Sequence, residues 1–379
     1  VGVAVATAVV LFFFIAVPIT EARMNTVTSP PRTVSADVKA LHQRLTIVDL
    51  HADPLLWGRD LLQRARRGHI DVPRLLDGNV ALQMFTIVTK SPRHLNIDRN
   101  DDSTDNVRLL AVAGRWPPRT WGDLTERALY QAGRLADMAR RSDGQLVLVR
   151  TKAELDALLT RRATEPRVVG ALLGIEGAHG VGASLDRLDE LDRAGVRMIS
   201  MAHFFDNAYG GSASGVRKGG LTDLGRRLAQ EMERRGMLID VSHCSAAVVD
   251  DLLAVATKPV VASHTGVRGT CDNNRNLTDD QVRRIAKTGG VVGIGFWSTA
   301  VCGQQPADIA RAVKYVRDLV GIDHVAFGSD FDGAVDTPFD SARLAELTEA
   351  LLQAGLTESD LKKVAGENAL RVLRATLPN

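Results

Sequence analysis

Short apolar runs rich in valine, isoleucine and leucine recur along this chain, and longer amphipathic stretches separate them. The runs fall at residues 46–50, 80–88, 168–175, 196–202, 237–242, 259–263, 290–296 and 324–329. They are continuous rather than alternating, which predicts strands of a parallel sheet buried on both faces. Patterns with helical spacing at 184–194, 221–235, 246–256, 279–287 and 306–320 fill the gaps between them. Eight strands alternating with helices predict an α/β fold, a (β/α)8 TIM-like barrel. No glycine-rich phosphate loop follows the first run, which counts against a doubly wound nucleotide-binding sheet. Residues 89–145, with a helical pattern at 123–141, read as an extended excursion after strand two.

Two stretches precede this rhythm. Residues 1–20 carry no charge and run into polar positions, so 1–22 reads as a signal peptide or an N-terminal anchor. Residues 23–40, polar and holding Pro30-Pro31, read as a linker, which leaves 41–379 as the barrel domain. Export to a periplasmic or extracellular location is expected, with the segment either cleaved or kept as a membrane attachment.

Composition removes other classes of function. Lys plus Arg total 47 against 45 Asp plus Glu, a net charge of +2 without charge blocks, so no footprint for nucleic acid is present. Aromatic residues make up 4%, too few for a base-stacking platform. Three cysteines exclude both a disulfide-dense scaffold and a four-thiolate zinc cluster. A homodimer is compatible with all of this.

Four of the nine histidines, His51, His203, His243 and His264, fall at the carboxyl ends of separate predicted strands. That is the face where catalytic groups of such barrels collect. His51 and Asp53 are two residues apart and can grip one ion, while His243 and His264, from neighbouring strands, can grip a second. Glu176, ending the third strand, can bridge the two. Imidazole and carboxylate without thiolate suit two zinc ions, and manganese or cobalt also fit. Such a pair polarises a carbonyl and holds a hydroxide that is nucleophilic at neutral pH. Asp330, after the last strand, is placed to take a proton from that water and pass it to a leaving amine. For His179, His324 and Asp332 a structural role is the better reading, Asp49 reads as an anchor of the first strand, and His203 is balanced between the two.

These residues sit in motifs: His-x-Asp at 51–53, Gly-Ile-Glu-Gly at 174–177, Asp-Val-Ser-His at 240–243, Ser-His at 263–264, Arg-Asn at 275–276 and Gly-Ser-Asp-Phe-Asp-Gly at 328–333. In them the sequence resembles the membrane (renal-type) dipeptidases, dizinc peptidases on an amidohydrolase-like barrel, from about Val48 to Asn368. The resemblance implies that His51, Asp53 and Glu176 hold one zinc, and Glu176, His243 and His264 the other. It further implies that His203 contacts the scissile carbonyl, that Arg275 binds the carboxylate of a dipeptide substrate, and that Asp330 handles the proton. It also implies a disulfide between Cys271 and Cys302, with Cys244 left free and buried. Where the family usually has a tyrosine after strand seven, this sequence has Trp297. Two other readings stay open: a deacylase or lactonase on the same barrel, and a non-catalytic binding protein. Many barrels of the former kind bridge their metals with a carboxylated lysine, and no lysine lies at a predicted strand end here.

Overall fold

Nine parallel strands, β1 (Ile47–Ala52), β2 (Val80–Val88), β3 (Leu146–Leu148), β4 (Val169–Glu176), β5 (Val196–Ser200), β6 (Leu238–Asp240), β7 (Val260–Thr265), β8 (Val291–Ile294) and β9 (Val325–Phe327), form one sheet. They are ordered β2-β1-β9-β8-β7-β6-β5-β4-β3, and β2 also pairs with β4 from Leu82↔Gly170 to Val88↔Glu176, which closes eight of them into a barrel. The (β/α)8 expectation therefore holds. This computed structural model describes residues 11–379; the first half of the expected signal or anchor segment, residues 1–10, lies outside the described residues. β3 was not foreseen in the sequence and stays outside the ring, paired with the start of β4. The excursion after β2 holds helices Asn106–Ala113 and Leu124–Arg141, each begun by an aspartate whose side chain accepts from a first-turn N–H.

Val48, Leu50, Leu82, Met84, Leu172, Met198, Leu238, Val261, Val291 and Ala326 form one buried cluster to which every ring strand contributes, so it fills the barrel interior. Leu370 and Leu373 of the C-terminal helix Asn368–Thr376 join it. Two residues further along two of these strands the interior turns polar, with Asp240 after Leu238 and Ser263 after Val261. Because Leu50 points inward, strict alternation would turn His51 away from the axis. A register irregularity between Asp49 and Ala52 in the β1–β2 pairing lets His51 join the polar layer.

The segment 23–40 is not a free linker. A helix runs over Ala16–Met24, Val27 bridges to Thr337, and a further helix, Ala36–Gln43, begins at the Ser35 cap. Hydrogen bonds pull this stretch onto the barrel because Thr28 N–H donates to Thr337 O (2.9 Å) and Thr337 N–H to Thr26 O (3.0 Å). Among the described residues no helix is long and apolar enough to cross a membrane. A Cys271–Cys302 disulfide ties the loop after β7 to the loop after β8, and Cys244 is free and buried.

Candidate metal centre

Glu176, the last residue of β4, is the hub. Its Oε1 lies 2.9 Å from His243 Nε2, 3.2 Å from His264 Nε2 and 3.6 Å from His51 Nε2. Its Oε2 lies 3.2 Å from His203 Nε2. Asp53 Oδ2 is 3.5 Å, and Asp330 Oδ1 4.0 Å, from His51 Nε2. Each comes from the carboxyl end of a different strand or the turn after it, except His51 and Asp53, which share β1 and its exit. Asp53, Glu176, His203, His243, Arg275, Trp297 and Asp330 line a cavity of about 400 Å³ there, while His51 and His264 are fully buried beneath. All nine residues singled out in the sequence thus converge.

The donor set fits metal ions. His243 Nε2 and His264 Nε2 are 3.0 Å apart, and both face the same carboxylate oxygen. Ligands at ~2.0–2.2 Å around a tetrahedral ion lie about 3.3 Å apart, so this triangle is close in size to one face of a tetrahedral shell. His51 Nε2 is buried with no hydrogen-bond partner, although two carboxylates face it. Three groupings, His51/Glu176/His264, Glu176/His203/His243 and His51/Asp53/Asp330, each bring ligand atoms within 4.8 Å of one another.

The tautomers that such binding needs are set one layer down. Ser263 Oγ donates its single proton to Asp240 Oδ2 at 2.6 Å. It therefore accepts from His51 Nδ1 (3.1 Å) and His264 Nδ1 (3.0 Å), which leaves both Nε2 lone pairs aimed at the centre. Asp240 Oδ1 in turn accepts the N–H groups of Ser242 (2.9 Å) and Ser263 (2.8 Å). Asp53 accepts from the Thr86 hydroxyl. Asp240 and Ser263 stood in the quoted motifs without a role; their pairing across 23 residues is what gives them one. Replacing Ser263 by Ala removes one acceptor shared by two ligands. The expected result is a metal affinity about 10–100-fold weaker with the fold intact, read by competition with a chelator.

Electrostatics agree with a site built for cations. Burial lowers the His203, His243 and His264 pKa values well below the usual range. Burial also lowers that of His51, but the Asp53 and Glu176 carboxylates outweigh it and push His51 up to about 10. Burial, reinforced by Asp53, raises Glu176 well above the ordinary carboxylate value despite His51. Burial and Asp53, against His51 and Arg275, push Asp330 up to about 8. Crowded carboxylates that resist ionisation together are stabilised by a positive ion between them. His243 and Asp330 both hold left-handed backbone, with φ of 62° each, conformations that cost energy and concentrate at functional positions.

Arg275, on the loop after β7, is buried, donates from Nη2 to His264 O at 2.8 Å and lies with Cζ 5.6 Å from the Trp297 ring centre. The Trp297 ring rests on the bare Cα of Gly295, where an added Cβ would come within 1.9 Å of it. Of the residues read as structural, Asp49 accepts from Ser329 N–H at 2.8 Å and from its hydroxyl at 2.6 Å, tying β1 to the turn before Asp330. Asp332 pairs with Arg59, and His324 Nδ1 meets Gly290 O at 2.9 Å.

Residues 35–377 match the family described as membrane dipeptidase (peptidase family M19). The chain belongs to that family. It is a metallopeptidase-family hydrolase, and the dipeptidase resemblance read from the motifs is correct. Among curated relatives, the dipeptidase aclJ of Aspergillus oryzae is 29% identical over 87% of this chain and 78% of its own length. The dipeptidase tcpJ of Claviceps purpurea is 28% identical over 81% of this chain and 69% of its own. Among solved structures, a family M19 metallopeptidase described as dipeptidase AC superposes with a TM-score of 0.73 at 26% identity, covering 88% of this chain and 99% of that one. A metallopeptidase from Rhodobacter sphaeroides, solved with a phosphinate mimic of the dipeptide L-Ala-D-Ala, gives 0.71 at 26% identity with the same coverage.

Proposed function

We propose that this family member hydrolyses free dipeptides with two zinc ions, one held by His51, Asp53 and Glu176 and the other by Glu176, His243 and His264. The observation that carries this is the single Glu176 carboxylate facing four imidazoles, with two of their tautomers fixed by Ser263. When bound, the ions polarise the scissile carbonyl and supply a water acidic enough to ionise near neutral pH. The protein does the rest. Asp330 accepts the proton of the attacking water and delivers it to the departing amine. His203, kept neutral by burial, contacts the carbonyl oxygen on which negative charge develops.

Recognition falls to Arg275 and Trp297. A planar guanidinium pairs with the substrate carboxylate through two parallel hydrogen bonds, and a longer peptide would carry that carboxylate past it. The Trp297 ring, its centre 5.6 Å from the guanidinium carbon, adds a cation–π contact that helps position Arg275. The bulk of Trp297 favours dipeptides ending in glycine or alanine. The dipeptide mimic carried by the Rhodobacter sphaeroides relative supports this substrate class.

Arg275→Lys is expected to raise KM for dipeptides by about 10-fold or more while metal content stays at the wild-type value, since lysine offers a point charge instead of a fork. Steady-state kinetics on free and C-terminally amidated dipeptides check it. Equal rates on the two substrates would remove the carboxylate clamp and favour the amidohydrolase alternative. An exported location, with the N-terminal stretch as leader or anchor, is part of the proposal and agrees with the Cys271–Cys302 bond.

A further inference from the structure

The mouth of the metal-centre cavity has a wall that no motif announced. Glu21, in the helix Ala16–Met24, is completely buried. Its two carboxylate oxygens take Arg59 Nε and Arg67 Nε. The same Arg59 reaches on to Asp332, and Asp332 accepts the His69 N–H at 2.6 Å. Asp332 belongs to the turn that presents Asp330. One helical turn after Glu21, Asn25 donates from Nδ2 to Glu21 O at 3.2 Å, and its Oδ1 accepts the Ala334 N–H at 2.9 Å. Thr26 and Thr28 continue the contact by backbone pairing with Thr337, and His69 Nε2 meets Thr26 O at 3.0 Å. Residues 21–28 are thus stitched along the whole exit of β9.

This stitching sets one partly exposed side chain at the rim of the cavity. Met24, between the two anchors Glu21 and Asn25, lines it together with Gly333, Ala334 and Val335 of the same turn. The turn bends back on itself, with Asp330, Asp332 and Ala334 all in left-handed backbone at φ of 62–63°. Alternating left-handed non-glycine residues are costly and persist only where surrounding contacts over-determine them. The strap supplies such contacts through Asn25 and, by way of Arg59, through Glu21. The family match begins at residue 35, so residues 21–28 precede the matched segment.

We propose that residues 21–28 are a permanent wall of the substrate cavity, holding the turn after Asp330 in shape and setting, through Met24, the size of dipeptide side chain admitted. This rests on the dipeptidase reading for its substrate but not for its architecture. The full chain must then keep Glu21 after any processing, because cleavage at residue 22 would take away the carboxylate shared by Arg59 and Arg67 and free the start of the strap. Met24 is a specificity residue and Glu21 and Asn25 are positioning residues; none of the three is catalytic.

The test uses the metal-loaded full chain with Glu21→Gln, Asn25→Ala, Met24→Ala and Met24→Trp. Hydrogen exchange should quicken at peptides covering 330–337 in Glu21→Gln and Asn25→Ala and stay unchanged in the distant helix Ala246–Val255. Met24→Trp should lower kcat/KM for bulky members of an Ala-X or an X-Ala series at least 10-fold more than for Ala-Ala. Met24→Ala should narrow the wild-type gap between the same substrates. Unchanged exchange at 330–337 in Asn25→Ala overturns the positioning role, even if Glu21→Gln fails to fold. A ratio of rates untouched in both series by either Met24 variant overturns the specificity role. An exported, fully active protein that begins after Glu21 overturns the Glu21 role, and one that begins after Asn25 overturns both. If the wild-type protein cleaves no dipeptide, the substrate reading fails, while the exchange data still decide whether the strap holds the turn.

Discussion

Glu176→Gln is expected to lose both metal ions and to drop hydrolysis by about 10³-fold or more. The size follows from the several kcal/mol that a metal Lewis acid contributes, at ~1.4 kcal/mol for each factor of ten. The mechanism is local. Glu176 presents Oε1 to His51, His243 and His264 and Oε2 to His203, all within 3.6 Å. An amide of the same shape carries no charge and turns an N–H2 group toward some of those lone pairs, so it repels cations from the point they must share. Elemental analysis of the folded variant decides the matter, with circular dichroism as the check on folding. His264→Ala, which removes a proposed ligand of one ion, should empty one site and spare the other. Stoichiometric metal in Glu176→Gln would end the bridging assignment. Acid should mimic this loss in the wild type. With His51 pushed up to about 10 in the metal-free centre, protons compete with cations for its Nε2. Metal binding releases protons, and affinity rises with pH.

Asp330→Asn is expected to lower kcat by about 10²–10⁴, the range for a positioned acid–base group, with metal content and thermal stability close to wild type. Asparagine is the informative replacement because residue 330 sits at φ 62°, which Asn tolerates better than Ala. The backbone turn and its N–H to His51 O (3.1 Å) therefore survive the change. The pH profile adds a second readout. Asp330 must be ionised to accept a proton, and burial with Asp53 pushes its metal-free pKa up to about 8 against His51 and Arg275. Cations beside it pull that value down, so wild-type activity should fall on an acid limb below 8, and the Asn variant should lose that limb. Loss of folding together with activity would make Asp330 a structural residue.

Much of the barrel was legible because the ring strands are mostly apolar along their length, the mark of burial on both faces, with Asp49, Gln83 and Arg197 as interruptions. The runs overshot at their carboxyl ends: 290–296 and 324–329 were read as strands, and β8 and β9 stop at Ile294 and Phe327. What ends them is the turn into Trp297 and Asp330, which hydropathy does not encode. β3 escaped because three residues, two of them only half-buried, carry too short a pattern. The proposed ligands were legible as a set, since any one histidine at a strand end is more often structural but several histidines and carboxylates at the same end of separate strands are not. Their supports were not: Ser263 and Asp240 are ordinary residue types, and only the contact between neighbouring strands reveals that one hydroxyl orients two imidazoles. The stretch 23–40 misled for the same reason. Asn25, Thr26 and Thr28 look like linker residues, and their partners lie some 310 positions away at Ala334 and Thr337.

The Cys271–Cys302 bond divides the molecule's labour in a way useful to anyone redesigning it. Arg275 follows the first cysteine by four residues and Trp297 precedes the second by five, so one covalent staple holds both halves of the proposed carboxylate reader. The proposed metal ligands lie outside that stapled interval, at 51, 53, 176, 243 and 264. The interval also holds the barrel strand β8, so the staple fixes the reader to the ring itself. Opening the bond with a reductant should loosen both loops and alter which substrates are chosen, while the proposed ligands outside the interval stay in place.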